Sequence, residues 1–263
     1  MATSATSDQL LVIIDPMARH TDGESVRIAK DVLSAGATAK VCLPDGPEEF
    51  ARALGRRGSR RPVVVGDDRA LVRAVGLLHR HRELAGCALS VVPVGSAGLA
   101  RSLGVPGGPV ASARAALEGV SRQLDLLVDD SDGVVLGSLG IPPASVPAEP
   151  VGVGARPWLR TLVRTLAARP ARLRVEIDGI TVIDLDRPVE SVSVTPGTRG
   201  VAEVEIRPVS LGAESTPLRS CGRTVTVTGE DFHYRADAET SGPVRRRTWR
   251  VAEGAWGLVV PGP

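Results

Sequence analysis

Asp67 and Asp68 are adjacent carboxylates, followed at once by Arg69, within the stretch RPVVVGDDRALVRAVGLL (61–78). The run before them has the letters of a buried strand. After them Leu71, Val75 and Leu78 recur at i, i+4 and i+7, the spacing of one helical face. A polar turn leaving a strand for a helix is where α/β proteins place ligands. Asp67 and Asp68 together could hold a magnesium ion, and Arg69 could grip a phosphate oxygen through its guanidinium. The competing reading is purely structural, since Asp in the first turn caps a helix and complements its dipole. A second turn of the same kind follows in VVPVGSAGLARSLGVP (91–106), where Gly95 and Ser96 stand just past another apolar run.

Turns of this kind need strands to hold them. Leu10–Asp15 (LLVIID) predicts the first strand, and Val26, Ala29, Val32 and Leu33 predict a helix that stops near Gly36. AKVCLP predicts a second strand, and Pro47 opens a short helix. PVVVGDD and ALSVVPVG supply the third and fourth strands, each leading into one of the two turns. Strands alternating with helices imply a parallel sheet with crossover helices. From about residue 120 the pattern changes. LDLLVDD and GVVLGSLG read as strands, PWLRTLVRTLAA (157–168) as one amphipathic helix with Leu159, Leu162, Val163 and Leu166 on its apolar face. From Ala171 onward short runs alternate apolar and polar residues, as in an antiparallel sandwich or barrel. The expected architecture is therefore an α/β domain with a parallel sheet over 1–120 and an all-β sandwich domain over 121–263, with the cleft between them as the default site.

Composition narrows the function classes. The chain has 263 residues, 43% hydrophobic and 24% charged, which suits an ordinary globular protein. Its net charge of +2 gives no bulk attraction to nucleic acid, so no nucleic-acid partner is expected. Cys42, Cys87 and Cys221 are too widely spaced for a metal or redox motif, and a reduced, cytoplasmic setting follows. Neither a signal-peptide pattern nor an apolar run of transmembrane length is present. His79 and His81 in HRHRE read as solvated residues at a helix end. GRRGSRRP (55–62) is a basic loop that either serves as an exposed connection or meets anionic lipid headgroups at the inner face of a membrane.

The paired turns resemble the nucleotide-binding turns of the diacylglycerol kinase catalytic domain family, the bacterial lipid kinases related in fold to the NAD kinases. That family's first turn reads Gly-Gly-Asp-Gly-Thr. Here Gly66 and Asp67 match, while Val65, Asp68 and Arg69 replace the first Gly, the third Gly and the Thr. The second turn reads Pro-x-Gly-Thr-x-Asn-Asp in the family. Pro93, Gly95 and Ser96 remain, Gly98 and a one-residue deletion replace the Asn-Asp pair, and LARSLGVP (99–106) matches the family's following helix. LVIIDP takes the place of the opening strand, with Asp15 for Asn. The C-terminal close, with Asp237, Ala238 and Glu239 for Asp-Gly-Glu, also resembles the family. The family's acidic Asp-Gly-x-x-Asp segment has no counterpart after VEIRP. The second half is closer to the lipid kinases than to the NAD kinases.

The resemblance implies an ATP- and Mg2+-dependent lipid kinase. Gly66, Asp67, Asp68, Arg69, Gly95 and Ser96 would surround the nucleotide, Asp237 would act as general base, and a lipid would occupy the interdomain cleft; no residue is assigned to the metal. A homodimer is an admissible assembly. Phosphoryl transfer is mostly positioning and charge neutralisation, and Asp68 adds a negative charge and a Cβ where phosphate should approach. The reading is a lipid kinase-like protein of impaired activity. The alternative is a non-catalytic lipid- or nucleotide-binding pseudokinase with a regulatory or partner-docking role.

Overall fold

The computed structural model describes residues 9–143, 171–209 and 216–262; the helix predicted over 157–168 lies outside them. The chain divides into two compact units. The first contains the residues up to Leu126, Asp132–Gly137 and the tail from Ala252; the second contains Leu127–Ser131 and Ser138–Val251.

In the first unit, β1 (Gln9–Ile14), β2 (Thr38–Cys42), β3 (Arg61–Gly66) and β4 (Ala88–Pro93) form a parallel sheet in the order β2-β1-β3-β4. The three inner strands are near-continuous aliphatic runs because both faces of the sheet are covered. Leu10, Val12, Ile14, Val63, Val65 and Val92 face α2 (Gly23–Gly36) and α6 (Pro109–Glu118), which contribute Ala29, Leu33, Ala113 and Ala116. On the other side α3 (Pro47–Gly55) buries Phe50 and Leu54, and α4 (Asp68–Arg80) buries Leu71, Val75 and Leu78. Short helices α1 (Pro16–Thr21) and α5 (Gly98–Ser102) follow β1 and β4. The periodicity that predicts α2 has no counterpart in α6. Its buried residues are Ser112, Ala113 and Ala116, too small to stand out as an apolar stripe.

The second unit is the β-rich one expected. After β5 (Val120–Asp129) and β6 (Val134–Val135) come β7 (Leu139–Ile141), β8 (Leu173–Ile177), β9 (Ile180–Ile183), β10 (Val189–Pro196), β11 (Ala202–Pro208), β12 (Leu218–Gly222), β13 (Thr224–Ala236) and β14 (Glu239–Val260). Pairings within this unit are antiparallel, and β8 and β11 alternate buried with less buried residues along their length. The long strand β13 pairs with β8 through Val225–Gly229 and with β7 through Arg235 and Ala236. Register shifts around Phe232 lie between those two stretches.

The sequence expectation runs the second domain to the C-terminus. The tail of β14 instead adds parallel to β4, pairing Gly257 with Ala88 and Leu258 with Leu89, and it buries Trp256, Leu258 and Val259 in the first unit. Five consecutive buried residues at Trp256–Val260 give this segment the aliphatic character of a covered parallel strand rather than an alternating one. No helix among the described residues is long and apolar enough to cross a membrane, which carries no statement about strands.

If the tail is part of the first unit's core, Leu258→Ala lowers unfolding free energy by about 2–5 kcal/mol. Leu185→Ala, at a residue 41% exposed, stays within about 0.5 kcal/mol of wild type. Urea denaturation of both variants reads the difference; equal and small effects would remove the tail from the core.

Candidate functional site

β3 and β4 are neighbours, so the turns that follow them emerge side by side at the carboxyl end of the sheet. Three successive links tie the turns together. The Val94 amide donates to the Gly66 carbonyl at 2.9 Å, and the Asp68 amide donates to the Ser96 carbonyl at 2.9 Å. The Asp68 carboxylate then accepts from two amides of α5, Leu99 to Oδ2 and Ala100 to Oδ1, each at 3.0 Å. Asp68 is 8% exposed. Both of its oxygens therefore satisfy backbone donors at the start of a helix other than its own, a place where negative charge is favoured.

The neighbouring residues have separate structural duties. Asp67 caps α4, its side chain accepting from the Ala70 amide at 3.0 Å. Gly66 lies where a Cβ would come within 2.7 Å of the Ala70 Cβ and 3.0 Å of the Asp15 Cβ. Close packing explains that glycine without a ligand. Gly95 has φ +89°, a conformation that side chains rarely adopt. Ser96 is exposed, and its carbonyl is the acceptor for Asp68. Arg69 is exposed, and its side chain makes no hydrogen bond or ion pair among the described residues.

Asp15 and Arg73 complete this corner, and only Asp15 was visible in the sequence. Asp15, 3% exposed, caps α1 by accepting from the Met17 amide at 2.9 Å and pairs with Arg73 Nη1 at 2.8 Å. Its own amide donates to the Val65 carbonyl at 2.9 Å. The Arg73 guanidinium sits 5.6 Å from the Phe50 ring centroid, a cation–π distance. The available signal was spacing: Arg73 follows Arg69 by four residues, on the same helical face.

The residues present do not fit a magnesium site at this turn. Asp68 has both oxygens engaged, Asp67 has one engaged, and no group of three or more His, Cys, Asp or Glu suited to a metal ion occurs among the described residues.

Asp237 belongs to the second unit. It stands in the two-residue link between the paired residues Ala236 and Glu239, at φ +49°. Its amide donates to the Ser138 carbonyl at 2.8 Å, and its Oδ1 accepts from the Ser138 amide at 2.9 Å. This reciprocal pair holds the start of β7 to the β13–β14 turn, a structural duty typical of Asp in turns. The structure thus brings Gly66, Asp67, Asp68, Gly95 and Ser96 into one corner, leaves Arg69 in solvent beside them, and gives Asp237 a turn of its own.

No protein-family model matches the chain, and no curated protein matches it. Solved structures do. A structure assigned as a diacylglycerol kinase from Bacillus anthracis str. Sterne aligns with TM-score 0.76 at 15% identity, covering 99% of this chain and 98% of that one. The chain has the diacylglycerol kinase-like fold. Two further structures with the same assignment and source give TM-scores of 0.75 at 16% and 15% identity, covering 96% and 98% of this chain and 97% and 98% of theirs. Within that fold the Asp68 carboxylate links the turn after β3 to the first amides of α5.

Removing the Asp68 carboxylate tests its structural share. Two charge-assisted bonds, at about 1.5–3 kcal/mol for each before non-additivity, predict that Asp68→Ala loses about 3 kcal/mol of stability. Asp68→Asn keeps one acceptor oxygen and loses less. Chemical denaturation should rank wild type above Asn and Asn above Ala; an Ala variant as stable as wild type would contradict the bridge.

Proposed function

We propose that this chain is a lipid kinase-like protein in which ATP-dependent phosphorylation of a lipid hydroxyl, the reaction the resemblance implies, is impaired. The observation that carries the reading is the Asp68 bridge. Its carboxylate consumes two α5 amides and puts a negative charge between the turns where the resemblance locates nucleotide phosphates. A carboxylate about 4 Å from a phosphate oxygen is repelled by roughly 1 kcal/mol in water and about 4 kcal/mol at a protein surface. Asp67 is occupied as a helix cap, so it offers no ready compensation. The base role of Asp237 rests on resemblance, and its Oδ1 is held by the Ser138 amide.

Calorimetric titration with ATP, with and without Mg2+, tests the proposal on wild type and Asp68→Gly. Wild type should show no tight Mg2+-dependent binding. The glycine variant should gain at least about fivefold in ATP affinity, the factor that corresponds to the weaker repulsion. Its structural cost of about 3 kcal/mol is within the usual stability of a domain, so it should remain folded. Tight Mg2+-dependent ATP binding by wild type, accompanied by phosphate transfer to diacylglycerol, would overturn the proposal.

A further inference from the structure

Two hydroxyl residues of the chain have arginine both two and three positions before them: Ser59 in RRGSRR (56–61) and Thr248 in RRRTWR (245–250). Arginine at those positions is a charge pattern by which protein kinases select acceptors. By letters the two are equal; the fold separates them. Thr248 lies within β14, paired with Thr226 of β13, and the two hydroxyls share a 2.9 Å hydrogen bond. The Asp130 amide donates to the Thr248 carbonyl at 3.1 Å, and the Thr248 amide donates to Asp130 Oδ2 at 3.3 Å. Presenting Thr248 to an enzyme would mean opening the sheet.

Ser59 stands in the loop between α3 and β3. It is exposed, and its side chain has no hydrogen-bond partner among the described residues. Gly58 before it has φ +60°, and no atom lies within 4 Å of where its Cβ would be, so open space surrounds the loop tip. The backbone bonds of the loop are local, from the Arg57 amide to the Leu54 carbonyl and from the Arg60 amide to the Arg57 carbonyl, each at 3.2 Å. The sheet begins only at Arg61, which pairs with Leu10. Residues 57–60 can therefore open into an enzyme's cleft while α3 and β3 stay in place, a local opening of the kind loop tips undergo. Arg56 is exposed and forms no ion pair among the described residues, and Arg57 pairs with Glu83.

We propose that Ser59 is a phosphorylation site for an arginine-directed serine/threonine protein kinase. The phosphate donor is ATP. A bond forms from Ser59 Oγ to the γ-phosphorus as the bond from that phosphorus to the bridging oxygen breaks; the hydroxyl proton passes to the kinase's carboxylate base, and ADP leaves. Phosphoserine carries about 1.5 to 2 negative charges at neutral pH and three acceptor oxygens. Arg56, Arg57 and Arg60 bring guanidinium groups to either side of it, so the residues that mark the acceptor also stabilise the product. The dianion competes with Glu83 for Arg57, the ion pair that ties this loop to the one entering β4. The modification is independent of whether the Asp68 corner transfers phosphate.

Incubation of the full chain with ATP and a recombinant protein kinase that selects arginine before its acceptor tests this, read by intact-mass and fragmentation mass spectrometry. Wild type should take up one phosphate, at Ser59. Ser59→Ala should take up none. Ser34→Ala, at an exposed serine of α2 without flanking arginines, should match wild type. Arg56→Gln should slow incorporation about two- to fivefold, the factor one exposed ion pair supplies. All three substituted residues are exposed, so matching thermal midpoints are expected. No uptake by wild type, undiminished uptake by Ser59→Ala, phosphate on Thr248 of the folded chain, or an Arg56→Gln rate equal to that of wild type would overturn the proposal.

Discussion

A single carboxylate bridge organises the carboxyl end of the parallel sheet. Asp68 belongs to α4 by sequence, yet its oxygens satisfy the first amides of α5, and its own amide reaches the Ser96 carbonyl. Two turns already joined by the Val94–Gly66 bond become one unit. In a region of low exposure, a carboxylate accepting two amides is well stabilised, and an external anion would have to displace it. The bridge therefore has two consequences from one cause. It secures the turns, and it sets an internal negative charge where the resemblance puts an external one.

The glycines show how a turn can keep its shape while its chemistry changes. Gly66 is needed because Asp15 and Ala70 crowd its Cα, and Gly95 because its backbone is left-handed. Those constraints are steric and survive whether or not phosphate binds. Asp68 and Arg69 stand where the resemblance has glycine and threonine, and here Asp68 is held by the Leu99 and Ala100 amides. The Asp15–Arg73 pair, with Phe50 beneath the guanidinium, fixes the neighbouring strand end by contacts internal to the protein. The polar side chains of Asp15, Asp67, Asp68 and Arg73 in this corner are thus engaged by partners internal to the protein.

Much of this was legible in the sequence, for physical reasons. Leu10–Ile14 and Val63–Val65 are aliphatic because the sheet is covered on both faces, and α2 and α4 show their helical period through large apolar residues. The α6 helix was missed because alanine and serine pack against the sheet without a visible stripe. The return of Trp256–Val260 to the first unit was missed because a short apolar run does not reveal which sheet receives it. At the site, helix capping by the GDDR turn was anticipated, and Asp67 does cap α4. That Asp68 caps a different helix depends on β3 and β4 being neighbours, a tertiary fact that local letters do not contain. Asp237 was read both as a base and as a turn residue, and its bonds to Ser138 display the second of these roles.

Amide hydrogen exchange at Leu99 and Ala100 tests the central claim most directly, because exchange reports the bonds to Asp68 without reference to any ligand. The account predicts that both amides are protected in wild type, and that Asp68→Ala speeds their exchange by at least about tenfold, the factor for roughly 1.4 kcal/mol of lost protection, while amides in α2 are unchanged. Rapid exchange of both amides in wild type, or unchanged protection in the variant, would contradict it.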